Sequence, residues 1–442
     1  MSKFFRQLGP VACGLWLAAI SGCVDTSTDD EGEISSEVKH GFDQLNDDEQ
    51  LAASNDAGIA ATFSTLGPID FNNAFFRSDI SPVGRSCATC HDPSSGWTVS
   101  ADLAKATFNE TGGTDPLFRI HDTGTRPDAP TGTKRERRET YRPMWEHGLI
   151  RFEQSIPATA EFEIVSVDDP YGFGTPADST RFRRPNPMSN EAFVASVTWT
   201  AGGLPVPLFL QILFPVAVTF HGAGPTPDPA LSVEAANLSL SVFHAQVIDR
   251  KAGRLDAEGA HGGPVALASQ PFFIGINSGD SFNPKVFDLY DAWEHSDNPH
   301  RRQIWRGQQV FNTKTFGNGR TCGGCHNTPN VGSSSTFVTR NVGTDDANEP
   351  VDLSYLPKLT IRNKTTGETR VVTDLGVGLD GVWAHVGQYK VQHLRGLASR
   401  TPLFHDGRAK TVGDVVNHYE RFFNIDFQGS EKDDLVAFLN AL

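Results

Sequence analysis

Two stretches near the C-terminal end of the chain carry apolar residues at helical spacing. Arg301–Phe311 places Ile304, Trp305, Val310 and Phe311 near one face, and Glu431–Leu442 sets Leu435, Phe438, Leu439 and Leu442 on one stripe. Between them, Leu356–Ile361 and Thr369–Thr373 flank the polar run Asn363-Lys364-Thr365-Thr366-Gly367, which predicts a β-hairpin. Upstream, Ser232–Ala252 carries Val233, Ala236, Leu240, Phe243 and Val247 as an apolar stripe and predicts another helix; Ile69–Phe76 is a shorter apolar segment. From Ala158 to Ala230, Pro and Gly interrupt every periodic run, so loops with short strands are expected there. Leu204–Phe220 is apolar, but Pro205, Pro207 and Pro215 break it too often for a membrane-spanning helix.

The N-terminal end follows a different pattern. Lys3 and Arg6 precede an apolar run, Leu8–Ile20, that closes on Ile20-Ser21-Gly22-Cys23. This is the layout of an export signal over residues 1–22. The last four residues resemble a bacterial lipobox, which implies lipidation of Cys23 and a protein anchored on the periplasmic side of the cell envelope; an ordinary secretory signal without lipid is the alternative. Residues 23–60 follow as an acidic flexible tether, rich in Asp, Glu and Ser. Much of the net charge of −15 falls in this tether, so the charge does not mark an acidic face, and nothing in the chain points to nucleic acid.

The chain has six Cys, of which Cys13 leaves with the signal and Cys23 is accounted for by the anchor. The other four form Cys87-Ala88-Thr89-Cys90-His91 and Cys322-Gly323-Gly324-Cys325-His326. CxxCH is the attachment pattern of c-type haem: both thiols bond the porphyrin, and the adjacent imidazole reaches the iron. Two CxxC pairs could in principle form one zinc site, yet zinc has no use for the His behind each pair. Two covalently bound haem c groups are therefore expected, with His91 and His326 as iron ligands. The fold expectation is mainly α: two cytochrome c-type haem domains with loop-rich insertions and a short β-hairpin. The first covers 61–275 with an insertion around 158–230, the second covers 276–442, and the boundary falls in the Gly/Asn/Ser/Asp-rich run Phe273–Lys285.

These residues carry a family resemblance. The paired motifs, Arg85-Ser86-Cys87 through His91-Asp92-Pro93, and Leu394-Arg395 through Pro402-Leu403-Phe404-His405-Asp406-Gly407 resemble the bacterial di-haem cytochrome c peroxidases and MauG. The resemblance implies an N-terminal haem that reacts with hydrogen peroxide and a C-terminal haem that relays electrons to it from a small redox protein or other donor. It also raises Ca2+ as a further cofactor, since relatives hold calcium between the domains. Met1, Met144 and Met188 are the only methionines, so the C-terminal module has none to offer its iron. Family members place a Met, or in MauG a Tyr, fourteen residues beyond the His of His-Asp-Gly, and here that residue is Tyr419. His418 is the alternative ligand, and His405 takes a supporting position, hydrogen-bonded near the haem edge.

The family's Trp-Asp-Gly-Arg motif is not intact. Its nearest counterpart is Arg183-Arg184-Pro185-Asn186-Pro187 leading to Trp199, with Trp145-Glu146-His147-Gly148 as a weaker imitation. Trp199 is the expected electron bridge, and His244 and Gln246 are the candidates for handling protons on the distal side, unless His244 binds the iron and closes the site. The functional expectation is a di-haem oxidoreductase that reduces peroxide or uses it to oxidise a substrate. The alternative is a non-enzymatic electron-transfer cytochrome.

Overall fold

The computed structural model describes residues 42–177, 180–200, 228–317 and 319–442. The export signal, the first part of the tether and Leu204–Phe220 lie outside the described residues.

The two C-terminal helices form as the periodicity predicts. The first runs Pro299–Thr313; the Asn298 side chain accepts from the His300 and Arg301 amides, and Pro299 fills the first turn where no amide is needed. The second, Glu431–Asn440, carries Glu431, Asp433 and Asp434 in its first turn, where the helix dipole favours negative charge. They cross at Gly307, where any Cβ would run into the Asp434 carbonyl. Ile304, Phe311, Leu435 and Phe438 close one core with Phe287, Tyr290 and Trp293. A third helix, Val412–Phe423, is capped by Thr411 and Asp414 in reciprocal hydrogen bonds.

The hairpin also forms, as Lys358–Asn363 paired antiparallel with Thr369–Val372. The Asn363 side chain accepts from the Thr365 and Thr366 amides and so closes the turn. Its other edge pairs with Phe162–Asp168, a strand of the Pro- and Gly-rich insertion, and Ile164, Ile361, Leu359 and Val372 share one core.

Two expectations are corrected. Ser232–Ala252 is not one helix: a helix over Pro229–Ser241 gives way to a strand over Val242–Asp249 whose residues are all buried. Phe243 and Val247 fit a period of two as well as a helical face, and pairing with Gly58–Ser64 decides between them. The second correction concerns the acidic tether, whose last part, Gln50–Asn55 and the start of Gly58–Ser64, is sheet rather than flexible linker. Asn55 closes the intervening turn by accepting from the Ala57 and Gly58 amides, and Gly58 sits at φ 151 with no room for a Cβ beside the Ile248 carbonyl. With Gly253–Arg254 these strands form a four-stranded sheet. Helix makes up 31% and strand 17% of the chain, so the architecture is mixed rather than mainly α. Among the described residues no helix is long and apolar enough to cross a membrane.

Candidate haem centres

The C-terminal elements enclose a cavity of about 630 Å³, within the size range of cofactor pockets. Cys322, Cys325 and His326 line it, as does one face of the Val412–Phe423 helix: Val412, Val415, Val416 and Tyr419, at spacings of three and four. The His326 ring donates through Nδ1 to the Gly332 carbonyl at 2.6 Å, with the Gln392 carbonyl at 3.2 Å. That bond fixes the tautomer and leaves the Nε2 lone pair as the metal-binding atom. Tyr419 packs against Phe404 and Phe423, and burial raises its phenol above the ordinary value. Its hydroxyl has no protein hydrogen-bond partner among the described residues. His418 is off this face, with Nε2 donating to the Val342 carbonyl at 2.7 Å, so the alternative ligand is engaged elsewhere. Phe404, which contacts Tyr419, holds a left-handed φ of 66, a costly backbone state for a bulky residue at a cavity wall.

The thiols suit thioether bonding. The four CxxC cysteines form no disulfide. Burial pushes Cys87 and Cys322 up to about 12 and Cys90 up to about 11, which keeps them as thiols. The two pairs also sit in separate cores. Cys322 packs with Phe311 and Leu435, whereas Cys87 packs with Phe75 and Trp97, and Cys90 with Phe108 and Met144. Among the described residues, no three His, Cys, Asp or Glu side chains converge as a metal cluster. An apolar cavity that presents two thiols, an oriented imidazole and a phenol with no protein partner fits haem c.

The first CxxCH repeats the second. His91 donates through Nδ1 to the Trp97 carbonyl at 3.2 Å, an oxygen that also accepts from the Met188 amide at 2.9 Å. Trp97 is fully buried at φ 62, a second bulky left-handed residue, and its indole N–H donates to Thr62 Oγ1 at 2.9 Å. Thr98 then lines the C-terminal cavity, so a single peptide bond joins the residue that accepts from His91 to the other centre's wall.

The structure brings Cys322, Cys325, His326, Tyr419 and Trp199 onto one cavity. Trp199 donates to the Arg184 carbonyl and stands edge-on to His405 at 6.2 Å. His405 is stacked on Tyr389 at 4.1 Å; its Nε2 makes no hydrogen bond and lies 3.8 Å from Asp406 Oδ2, and burial pushes it down to about 4. Trp145 packs near Phe108 and donates to the Arg138 carbonyl, on the first module and away from this cavity.

His244 and Gln246 do not occupy a distal pocket. Both lie on the Val242–Asp249 strand and are satisfied. Trp97 donates to Thr62, so the Thr62 hydroxyl donates to His244 Nδ1 at 3.1 Å; His244 Nε2–H then donates to Ser399 Oγ at 2.8 Å, which donates to the Gly396 carbonyl. With both nitrogens engaged and burial pushing it down to about 3, His244 stands as a neutral bridge between Thr62 and Ser399. Gln246 exchanges hydrogen bonds with Asn55 and donates to the Ile248 carbonyl.

Three groups to which sequence reasoning gave no role emerge as well. Arg184 and Arg400, both about 5% exposed, line the cavity. Glu191, 2% exposed, has Oε2 without a hydrogen bond, and burial raises its carboxyl while Lys390 opposes the shift. Glu191 stands three residues past Met188, whose amide shares the Trp97 carbonyl with His91. Only burial distinguishes these three, and a charge in a Pro- and Ser-rich stretch gives no sign of burial.

No protein-family model and no curated protein matches the sequence. Solved structures similar to it at a distance include these two. One is a MauG-like protein associated with microbial copper homeostasis, with 16% identity over 86% of this chain and 90% of that one, at a TM-score of 0.39. The other is the hydrazine synthase of Kuenenia stuttgartiensis, with 14% identity over 79% and 92% at a TM-score of 0.35.

Proposed function

We propose that the protein is a di-haem c-type oxidoreductase that reduces hydrogen peroxide, or uses it to oxidise a substrate, at the centre held by His91. The observation that carries this reading is the C-terminal cavity, which presents Cys322, Cys325, His326 and Tyr419 together. Haem iron bound at each CxxCH supplies the redox chemistry: two electrons and two protons turn one peroxide into two waters. The chain's own residues hold and feed it. His91 and His326 are each fixed by a backbone carbonyl through Nδ1. Tyr419 offers a phenolate oxygen, a hard donor that favours ferric iron, and so suits the C-terminal centre to relaying electrons rather than binding peroxide. In this reading His244, engaged by Thr62 and Ser399, leaves the N-terminal centre open, and that engagement supports the enzyme over the electron carrier. Glu191 is the group we assign to proton transfer, because it is buried with Oε2 unpartnered three residues past Met188, whose amide shares the Trp97 carbonyl with His91, and burial raises its carboxyl. Trp199, edge-on to His405, is the proposed electron bridge.

The proposal includes two haem modules meeting around 273–285, export, a lipid anchor at Cys23 on the periplasmic side of the envelope, and a small redox protein as donor. The test is a pyridine haemochrome count on denatured protein, followed by stopped-flow mixing with peroxide. Two haems retained per chain, and a spectrum that peroxide changes, are expected. One haem, or none retained, would remove the di-haem assignment; two haems inert to peroxide would leave the electron carrier.

A further inference from the structure

The His326 ring presents one proton at Nδ1, and two backbone carbonyls meet it: Gly332 at 2.6 Å and Gln392 at 3.2 Å. Gly332 lies six residues past His326, and its amide donates to the Thr328 carbonyl, so the first acceptor comes with the local loop. Gln392 stands 66 residues further along the chain than His326, and distant segments must hold it in place. On its C-terminal side the Leu394 amide donates to the Val331 carbonyl at 3.0 Å, which ties this strap to the His326 loop. On its N-terminal side the Lys390 amide donates to the Trp199 carbonyl at 2.8 Å, and Lys390 Nζ donates to the Ser196 carbonyl at 2.7 Å. Gln392 itself is fixed through its side chain: Nε2 donates to Asn186 Oδ1, and Asn186 Nδ2 donates to the Val197 carbonyl at 2.9 Å. The Val197 carbonyl decides which end of the Asn186 amide is which, so Gln392 turns Nε2 towards it and leaves its own Oε1 buried without a partner. An unpaired buried acceptor costs stability, and an apolar side chain would fill the same space without that cost. The amide at 392 is therefore there for its direction rather than its volume.

We infer that Asn186 and Gln392 are positioning residues, whose clasp sets the second carbonyl against His326 and so ties the ligand strength of His326 to the segment that carries Trp199. This rests on the haem reading above, and it deepens it. A carbonyl that accepts from Nδ1–H makes Nε2 a stronger donor to iron, which favours ferric over ferrous iron, and the second carbonyl adds to the first. At 3.2 Å the Gln392 carbonyl sits at the long end of the hydrogen-bond range, so a small shift of the strap decides whether it contributes. The Gly332 carbonyl, at 2.6 Å, has no such margin to lose. Three of the strap's bonds, from the Lys390 amide, Lys390 Nζ and the Gln392 side chain, lead to residues 186–199. The segment that bears the proposed electron bridge thereby sets the potential of the centre it draws electrons from.

The test uses the full-length holoprotein with Gln392→Ala, Asn186→Ala and the double variant, each of which leaves the carbonyl of residue 392 in the chain and removes what holds it. A haemochrome count of two per chain in the wild type comes first; a lower count overturns the haem reading, and this inference falls with it. With two haems bound, spectroelectrochemistry should show one haem couple rise in potential and the other stay. At fixed potential the ferric-to-ferrous ratio of that haem should fall about tenfold in either single variant, the lower end of what the loss of a ligand's outer partner does, which is about 59 mV. The double variant should show the same tenfold change, because both substitutions open one clasp. Couples unmoved in the single variants overturn the inference. So does a change of about a hundredfold in the double variant, which would make the two residues independent. Equal movement of both couples would mark a general loosening of the protein and overturns it as well. Should the alanine variants not accumulate, Gln392→Met keeps the volume and loses only the amide, and the same results decide.

Discussion

Tyr419→Phe removes one oxygen and leaves the ring in place against Phe423 at 5.8 Å and Phe404 at 5.9 Å. An ordinary phenol has a pKa of about 10, so at pH 7 forming the phenolate costs about three units, or roughly 4 kcal/mol. Burial in this cavity raises that cost further. An iron that holds Tyr419 as phenolate must therefore stabilise it by more than roughly 4 kcal/mol in the ferric state. If the ferrous state needs the phenolate much less, its loss destabilises ferric iron by about that amount. Three tenfold factors for one electron correspond to a rise of about 180 mV in the midpoint potential. The assay is spectroelectrochemical titration of the purified holoprotein at pH 7, alongside the ferric absorption spectrum. A rise of that order with haem content unchanged is predicted. An unchanged potential together with an unchanged ferric spectrum would refute the assignment, since Phe cannot bind iron.

Other outcomes follow from the same geometry. His244→Ala leaves the Thr62 and Ser399 hydroxyls without their partner, at about 1–3 kcal/mol for each buried group left unpaired, and should lower the urea midpoint while peroxide reactivity persists; loss of reactivity in a folded variant would restore His244 as a catalytic group. Glu191→Gln should slow the peroxide reaction by about a hundredfold or more with two haems still bound, and a wild-type rate in stopped flow would remove it from the mechanism. Burial pushes His147 and His405 down to about 4 and His244 down to about 3, whereas the unfolded chain titrates near 6.5. Between those values the unfolded state binds more protons, so stability should be fully present above about pH 6.5 and fall as pH drops towards 4. Urea midpoints that are flat from pH 7 to pH 4.5 would contradict this.

Much of the architecture was legible because it rests on local pattern. Ile304, Phe311, Leu435 and Phe438 reveal two helices by spacing alone, and Asn363 through Gly367 reveals a turn. Cys322, Cys325 and His326 announce their chemistry because covalent attachment demands fixed spacing, and Tyr419 lies on the helix face that lines the cavity. What stayed hidden depends on distant pairing. Val242–Asp249 reads as helix until Gly58–Ser64 lies beside it, and the start of Gly58–Ser64 reads as linker until that strand covers it. Arg184, Arg400 and Glu191 matter because they are buried, and burial is set by segments far apart in sequence. His244 shows the same dependence: a His near a Gln suggests proton handling, but its two nitrogens meet Thr62 and Ser399, far away in the chain.

The account stands most directly on one measurement, the electron paramagnetic resonance spectrum of the ferric protein before and after rapid mixing with hydrogen peroxide. It predicts a low-spin signal from the centre bound by His326 and Tyr419, and a high-spin signal from the centre bound by His91. Peroxide should consume the high-spin signal, and His91→Ala should abolish it. Two low-spin signals that peroxide leaves untouched would contradict an open N-terminal centre and make the protein an electron carrier.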